Sequence, residues 1–251
     1  MILDTHLLDT HLLDTHSHIL PNIDDGATSV KESIKMLTML KEQGVTDVIA
    51  TPHFKMMDLS ESIDDFLEKR NNAYKKLLDE INKQKLDLPK IHLGAEVLLT
   101  MDLVEAGGLD RLCIEGTNII LLEMPYYEWQ SWMFRIIEDL CSAEGIEIIF
   151  AHVDRYVNLI PKQTYEKLFA LNHAVQINAD FVDNKKAIRV LKKWIKEKKI
   201  NYIGSDCHGI DFRPPQINNF MAKIGKIAGK DFMSRIEMHS SELLSKINKV
   251  K

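Results

Sequence analysis

Asp14-Thr15-His16-Ser17-His18 closes an apolar run that includes Leu12 and Leu13, and Asp24-Asp25-Gly26 follows it. In an extended strand side chains alternate, so histidines at i and i+2 point the same way and aim two imidazoles at one place. The acidic pair before a glycine is turn chemistry that can fold a carboxylate back onto that place, and imidazole with carboxylate suits a divalent metal of the zinc, iron or manganese type. A lone His-x-His is as readily a pair of satisfied strand residues. Its meaning therefore depends on what the other strands carry.

Those strands repeat one pattern. After a helix that begins at Ser29 with a capping-box glutamate at Glu32 and ends at Gly44, the run Val45 to Thr51 ends at Pro52-His53. A charged, helix-periodic segment over 62–84 is followed by Ile91 to Ala95, which ends at Glu96. Asn118 to Leu122 ends at Glu123, a helix follows over 129–143, and Ile146 to Ala151 ends at His152. Val175 to Ile177 ends at Asn178, and after a lysine-rich helix over 184–198 the run Ile200 to Ser205 ends at Asp206, with His208 two residues on. Seven short apolar runs alternate with helices, and the runs are continuous, as strands buried on both faces are.

The alternation fits either a doubly wound sheet or an α/β barrel. Placement of the polar residues decides between them. His16, His18, His53, Glu96, Glu123, His152, Asp206 and His208 all fall at carboxyl ends of strands, and Asp25 lies in the turn after the first. A barrel gathers those ends on one face, whereas an open sheet strings them along an edge tens of ångströms long. The expected fold is a seven-stranded barrel. Nine ligand-type residues exceed what one ion needs and suit two or three, of the Mn²⁺, Fe²⁺, Zn²⁺ or Mg²⁺ kind, since no cysteine is required.

Composition sets the frame. With 251 residues, 45% hydrophobic and 27% charged, the chain matches one α/β barrel, and its net charge of −5 leaves no footprint for nucleic acid or an anionic membrane. Cys113, Cys141 and Cys207 show no metal or disulfide spacing, which fits a reducing cytoplasm, and with Asp and His recurring every few residues at the start neither a secretory leader nor a membrane span is expected. Residues 2–16 read as three near-copies of a five-residue unit ending in Asp-Thr-His, of which only the third leads into Ser17-His18. Residues 1–11 are therefore expected to be a redundant extension, and 12–251 one barrel domain.

Three further readings bear on the site. His92, His173 and His239 are assigned structural or surface roles, and Asn178 a supporting role behind the ligands. Trp132 is expected to pack its helix onto the barrel, and Tyr126 and Tyr127 to line the mouth. Cys207 to Arg213 matches the C-x5-R spacing of cysteine-dependent tyrosine phosphatases, but Ile210, Asp211 and Phe212 make a poor phosphate cradle. Strand alternation also turns Cys207 away from Asp206 and His208.

Taken together, Asp14 to Pro21 with Asp24-Asp25-Gly26, Ala50-Thr51-Pro52-His53, Gly94-Ala95-Glu96, Leu122-Glu123, Ala151 to Tyr156, Ser205 to His208 and Arg213-Pro214-Pro215 resemble the manganese-dependent protein-tyrosine phosphatases of the PHP (polymerase and histidinol phosphatase) superfamily, found with bacterial capsule and exopolysaccharide systems. The resemblance runs from residue 12 onward. It implies a distorted seven-stranded β/α barrel with a cluster of three metals, Mn²⁺ first, held by His16, His18, Asp25, His53, Glu96, Glu123, His152, Asp206 and His208. It also implies that Arg155 and Arg213 bind phosphate, and that the substrate is a phosphotyrosine protein such as a bacterial tyrosine kinase. Asp154 stands where that family usually has Glu. A PHP-type histidinol-phosphate phosphatase and a non-catalytic metal-binding docking module remain as alternatives, and net charge disfavours a PHP nuclease.

Overall fold

In the computed structural model, residues 12–55, 62–105, 107–183 and 185–249 are described. The expectation about residues 1–11 lies outside them. In chain order the elements are β1 (Leu12–Ser17), α1 (Val30–Glu42), β2 (Val45–Ala50), β3 (His53–Phe54), α2 (Ile63–Gln84), β4 (Lys90–Leu93), β5 (Glu96–Leu98), β6 (Ile119–Glu123), α3 (Ser131–Glu144), β7 (Glu147–Phe150), α4 (Lys162–Ala170), β8 (Ala174–Asn178), α5 (Lys185–Lys196), β9 (Tyr202–Gly204) and α6 (Ile217–Asn248).

Every strand pairing is parallel, in the orders β1-β2-β4 and β3-β5-β6-β7-β8-β9. β2 and β3 are two halves of one stave, interrupted at Thr51-Pro52, where proline supplies no ladder N–H. β4 and β5 are likewise split at Gly94-Ala95. Across both gaps the ladder is carried by Gly94 N donating to Ala50 O at 2.9 Å and Glu96 N to Pro52 O at 3.0 Å. The last stave meets the first through a Ser17–Cys207 bridge, with His18 N donating to Cys207 O at 3.0 Å and Asp206 N to His16 O at 2.8 Å. Seven staves thus close into a ring.

The ring explains why the apolar runs are continuous. Ile120 and Leu122 of β6 pack outward with the helices, while Ile119 and Leu121 join Leu13, Ile49, Ile149 and Tyr202 from other staves in a second cluster, which can meet only inside the ring. Leu243, Leu244 and Ile247 of α6 belong to that inner cluster and plug the end of the barrel away from the carboxyl ends. α6 reaches there by a bend at Gly229, whose φ of 72° interrupts the helix. No described helix is long and apolar enough to cross a membrane.

Parity fixes which side chains enter the barrel. Val97, Val175, Ile177 and Ile203 belong to the outer core, so Glu96, Gln176, Asn178 and Gly204 turn inward, and Glu123 follows Leu121 onto the same face. β1 breaks the rule, since Leu13 and His16 both point inward although they stand three positions apart. A shift of register against β2 between Asp14 and Ser17 absorbs the odd residue, as a bulge does. At the start of α1, Ser29 accepts from Glu32 N as expected, but the Glu32 carboxylate turns to Thr28 N and Oγ1 at 2.9 and 2.6 Å.

Candidate metal centre

All nine ligand-type residues meet at the carboxyl end of the ring. His16 Nε2 and His18 Nε2 lie 3.2 Å apart, and Glu96 Oε2 stands 3.2 and 3.3 Å from them. The same oxygen is 3.0 Å from His53 Nδ1, while Glu96 Oε1 is 2.6 Å from His152 Nε2. Asp206 Oδ1 faces His16 Nε2, His18 Nε2 and His208 Nδ1 at 3.6, 3.4 and 3.5 Å. Asp25 Oδ1 closes the outer side, 3.4 Å from His53 Nε2 and 3.5 Å from His208 Nε2, and Glu123 Oε1 lies 3.6 Å from His152 Nε2.

The donor set fits divalent ions. His16, Glu96 and His152 form one group of converging donors, His16, His18 and Asp206 a second, His53, Glu96 and Glu123 a third, and His18, Asp25, His53 and His208 a fourth. Sharing His16, His18, His53 and Glu96 between groups is what neighbouring, carboxylate-bridged ions require. Glu96 Oε2, Asp206 Oδ1 and His53 Nδ1 are buried without a hydrogen bond of proper geometry, which is costly unless something else occupies their lone pairs. Protons are the substitute within the chain itself. Burial opposes charge on His16 and His18, yet the Glu96 and Asp206 carboxylates outweigh it and raise both imidazoles, while those imidazoles hold the two carboxylates well below the usual range against the same burial penalty. A metal binding there displaces such protons.

A second layer orients the first. His18 Nδ1 donates to Asp24 Oδ2 at 2.7 Å, which turns Nε2 toward the cluster as the nitrogen that would give up its proton to a metal, and Asp24 also accepts from His53 N and Gly26 N, each at 3.0 Å. Burial works against the Asp24 charge, but the His18 contact prevails and holds its pKa near 2. Gln176 Oε1 accepts from His152 N at 2.6 Å and faces His16 Nδ1 at 3.4 Å, while its Nε2 donates to Asn178 Oδ1 at 3.0 Å. Asn178 Nδ2 donates in turn to Asp206 Oδ2 at 2.6 Å, the supporting role expected of it. Asp14 ties β1 to the last stave by accepting from Ser205 N at 2.7 Å and Ser205 Oγ at 2.6 Å, and burial lifts its carboxyl to about 6.

Sequence reading missed Asp24, Gln176 and Asp14. Only the turn that presses Gly26 against His18 decides that Asp24, and not Asp25, takes Nδ1. Gln176 did leave a trace, an amide two residues before Asn178 and hence on the same inward face.

Arg155 and Arg213 reach the cluster together. Both guanidiniums pair with Asp206 Oδ2 and not with their chain neighbours Asp154 and Asp211, and Arg213 Nη1 also donates to His208 Nε2 at 3.1 Å. Their side chains keep 29% and 26% exposure, so both remain open to a ligand arriving from solvent. His152, Asp206 and Arg213 hold φ of 30°, 50° and 50°, a left-handed backbone that costs a non-glycine residue about 1 kcal/mol or more. Surrounding hydrogen bonds, such as the one to His152 N, hold that strain in place.

The other sequence readings resolve simply. His92 is buried within β4 and pairs with Asp47 at 2.9 Å, His173 lies beside Cys141 Sγ at 3.6 Å, and His239 sits on α6. Trp132 packs against the outer core, while Tyr126 and Tyr127 are exposed beyond β6. Cys207 is fully buried in that same core, and burial together with Asp14 pushes its thiol far above the usual range. A thiol so placed is not a nucleophile. Two sizeable cavities, of about 350 Å³ beneath the barrel near Tyr202 and Leu243 and about 710 Å³ between α4 and α5, are separate from the cluster.

A closed ring of seven parallel staves with histidines and carboxylates massed at its carboxyl ends defines a β/α barrel with a candidate metal centre on one face. The family model described as capsular polysaccharide synthesis, CpsB/CapC, matches residues 12–245, and the chain belongs to that family. It is 31% identical to CapC of Staphylococcus aureus over 209 residues, 79% of this chain and 77% of that protein. It is 26% identical over 226 residues to the tyrosine-protein phosphatase CpsB of Streptococcus agalactiae serotype III, covering 86% of this chain and 89% of that one. A solved structure from work on YwqE of Bacillus subtilis and CpsB of Streptococcus pneumoniae, called unique metal-dependent tyrosine phosphatases, shares the fold with a TM-score of 0.77 at 22% identity, covering 94% of this chain and 95% of that one.

Proposed function

We propose that this chain is a metal-dependent protein-tyrosine phosphatase whose substrate is a phosphotyrosine protein, a tyrosine kinase of a capsule or exopolysaccharide system, in the cytoplasm. The observation that carries this reading is the single shared carboxylate. Asp206 Oδ1 faces the imidazoles while Oδ2 gathers both arginines, so a metal-binding cluster and a pair of anion-binding forks adjoin one another. His16, His18, Asp25, His53, Glu96, Glu123, His152, Asp206 and His208 would hold two or three ions, Mn²⁺ first. Such ions supply Lewis-acid neutralisation of phosphoryl charge and acidify water to a pKa of about 7.

The remaining work falls to the chain itself. Arg155 and Arg213 present planar forks that suit phosphoryl oxygens and spread the charge of an in-line transition state. Exposed Tyr126, Tyr127 and Phe212, on the loops after β6 and β9, offer apolar faces to an aryl ester. A phenol leaves with a pKa near 10, so demand for a general acid is modest.

Exhaustive chelation should abolish hydrolysis of a phosphotyrosine peptide, and Mn²⁺ should restore it. Full activity in a verified metal-free preparation would refute the reading, and a marked preference for histidinol phosphate over phosphotyrosine peptides would replace it with a small-molecule phosphatase.

Arg155→Ala and Arg213→Ala are each expected to lower kcat/KM by roughly 10²-fold, with Arg→Lys recovering little because an ammonium lacks the bidentate fork. Metal stoichiometry should be measured alongside, since both guanidiniums touch Asp206. Wild-type kcat/KM in both alanine variants would mean that the arginines do not hold the phosphate. Cys207→Ala, by contrast, should keep kcat/KM within about threefold of wild type, under 1 kcal/mol in barrier. A loss as deep as that of Asp206→Ala would revive the C-x5-R reading.

A further inference from the structure

The groove between α4 and α5 has no part in the metal cluster, and its chemistry runs against the rest of the molecule. Residues 185–199 hold eight lysines and arginines against one glutamate in a chain whose net charge is −5. α5 turns Arg189, Lys193 and Trp194 toward the groove, positions i, i+4 and i+5 of one helix face, and α4 answers with Tyr165 and Phe169. Trp194 is the floor on which these faces meet, with ring centroids 5.7 Å from Tyr165 and 5.5 Å from Phe169. The result is a cavity of about 710 Å³ with an aromatic floor and a cationic rim. Its two acidic residues, Glu166 and Glu197, are engaged by Lys162 and Lys193 at 3.5 and 3.7 Å, exposed pairs that are easily opened.

The groove also connects to the site. Val157 and Ile160, at its near end, follow directly on the loop that carries His152 and Arg155. Tyr165 Oη donates to Val153 O at 2.6 Å, and ring contacts run from Tyr165 through Trp129 and Tyr156 to His152, at centroid distances of 5.6, 5.1 and 5.8 Å. A polypeptide whose phosphate lay on Arg155 could continue along this loop into the groove.

We infer that the α4–α5 groove docks an acidic segment of the phosphoprotein substrate, its carboxylates on Arg189, Lys193 and Lys199 and an apolar side chain over Trp194. The inference rests on the phosphatase reading. An anionic bilayer would meet the same cations, but a flat surface cannot fill a concave aromatic floor, so a peptide is the occupant.

The test uses peptides of about twenty residues, long enough at ~3.3 Å per residue to span site and groove. Each bears one phosphotyrosine, with either an acidic flank containing a Phe or a neutral one. Arg189→Glu combined with Lys193→Glu should raise KM for the acidic peptide about tenfold, in a manner that fades as salt is added. It should leave kcat, the neutral peptide and para-nitrophenyl phosphate unchanged. Arg189→Gln with Lys193→Gln, which introduces no repulsion, should give a smaller shift of the same sign, and unchanged melting would exclude a folding defect. Equal effects on both peptides, or none on either, would overturn the inference. So would loss of binding to phosphatidylglycerol vesicles with peptide kinetics unaltered. Fluorescence anisotropy of the unphosphorylated acidic peptide separates the two readings: binding that the charge reversal removes, in a protein that hydrolyses no phosphotyrosine, would uphold the groove and reject the phosphatase reading.

Discussion

Asp206→Ala is expected to cost at least about 10³-fold in kcat/KM on a phosphotyrosine peptide, together with loss of bound metal, in a protein that keeps its barrel. The size of the effect follows from how much converges on one buried carboxylate. Oδ1 lies within 3.6 Å of imidazole nitrogens from His16, His18 and His208, while Oδ2 takes the Asn178 amide and both arginines. Removing it deletes a candidate ligand, frees two guanidiniums from their shared partner and leaves the Asn178 donor unmet, so binding and transition-state stabilisation fail together. Asp206→Asn separates charge from shape. The amide oxygen can still accept from Asn178, but one of the negative charges that, with Glu96, raise His16 and His18 is gone. If charge is what recruits the ions, Asn should lose metal nearly as completely as Ala. Metal stoichiometry by elemental analysis, kcat/KM and far-ultraviolet circular dichroism decide the matter, and an Asp206→Ala protein with full metal content and activity would remove Asp206 from the site.

The fold was legible because a barrel stave is buried on both faces. Runs such as Ile119 to Leu122 are apolar throughout, half facing the helices and half the inner cluster, and polar residues gather where the interior opens at the carboxyl ends, with the buried His92–Asp47 pair as an exception. The same logic exposed the candidate ligands. Illegible features were those set by contacts distant in sequence or by a single irregular residue. The β1 bulge that turns His16 and His18 inward leaves no mark in Asp14 to His18, and although Pro52 marks the end of a run, the resumption of that stave at His53 and the break at Gly94-Ala95 emerge only from the pairing. Asp24 and Asp25 are chemically the same residue twice, so only the fold of the turn divides the roles between them. The lysine-rich run over 184–198 reads as a helix and nothing more. That α4 brings Tyr165 and Phe169 against Trp194 depends on a neighbour whose position the α5 sequence does not encode.

Gly204 carries the second large effect, and the reason is space. Its backbone needs no left-handed conformation, yet a Cβ there would stand 2.5 Å from His16 Cβ, 2.7 Å from Gln176 Nε2 and 3.1 Å from His16 N. The Gln176 amide could rotate away, but only by giving up its bonds to His152 N and Asn178. His16 Cβ is fixed to the backbone of β1 and has no rotamer to escape into. Relief must come from parting the first and last staves, where Asp206 N and His16 O, and His18 N and Cys207 O, hold the ring shut at 2.8 and 3.0 Å. Gly204→Ala is therefore expected to destabilise the metal-free chain by about 1–3 kcal/mol, as overpacking does, and to weaken metal binding by roughly 10- to 100-fold through displaced support of His16, His152 and Asp206. Gly225→Ala is the control, since a Cβ there meets nothing within 4 Å on α6 and alanine favours a helix by nearly 1 kcal/mol. Urea denaturation with chelator present and Mn²⁺ titration followed by calorimetry measure the two consequences separately. If Gly204→Ala matches wild type in both while Gly225→Ala behaves as a neutral or stabilising change, then the two staves can part at no cost and the closure of the ring is not what positions His16.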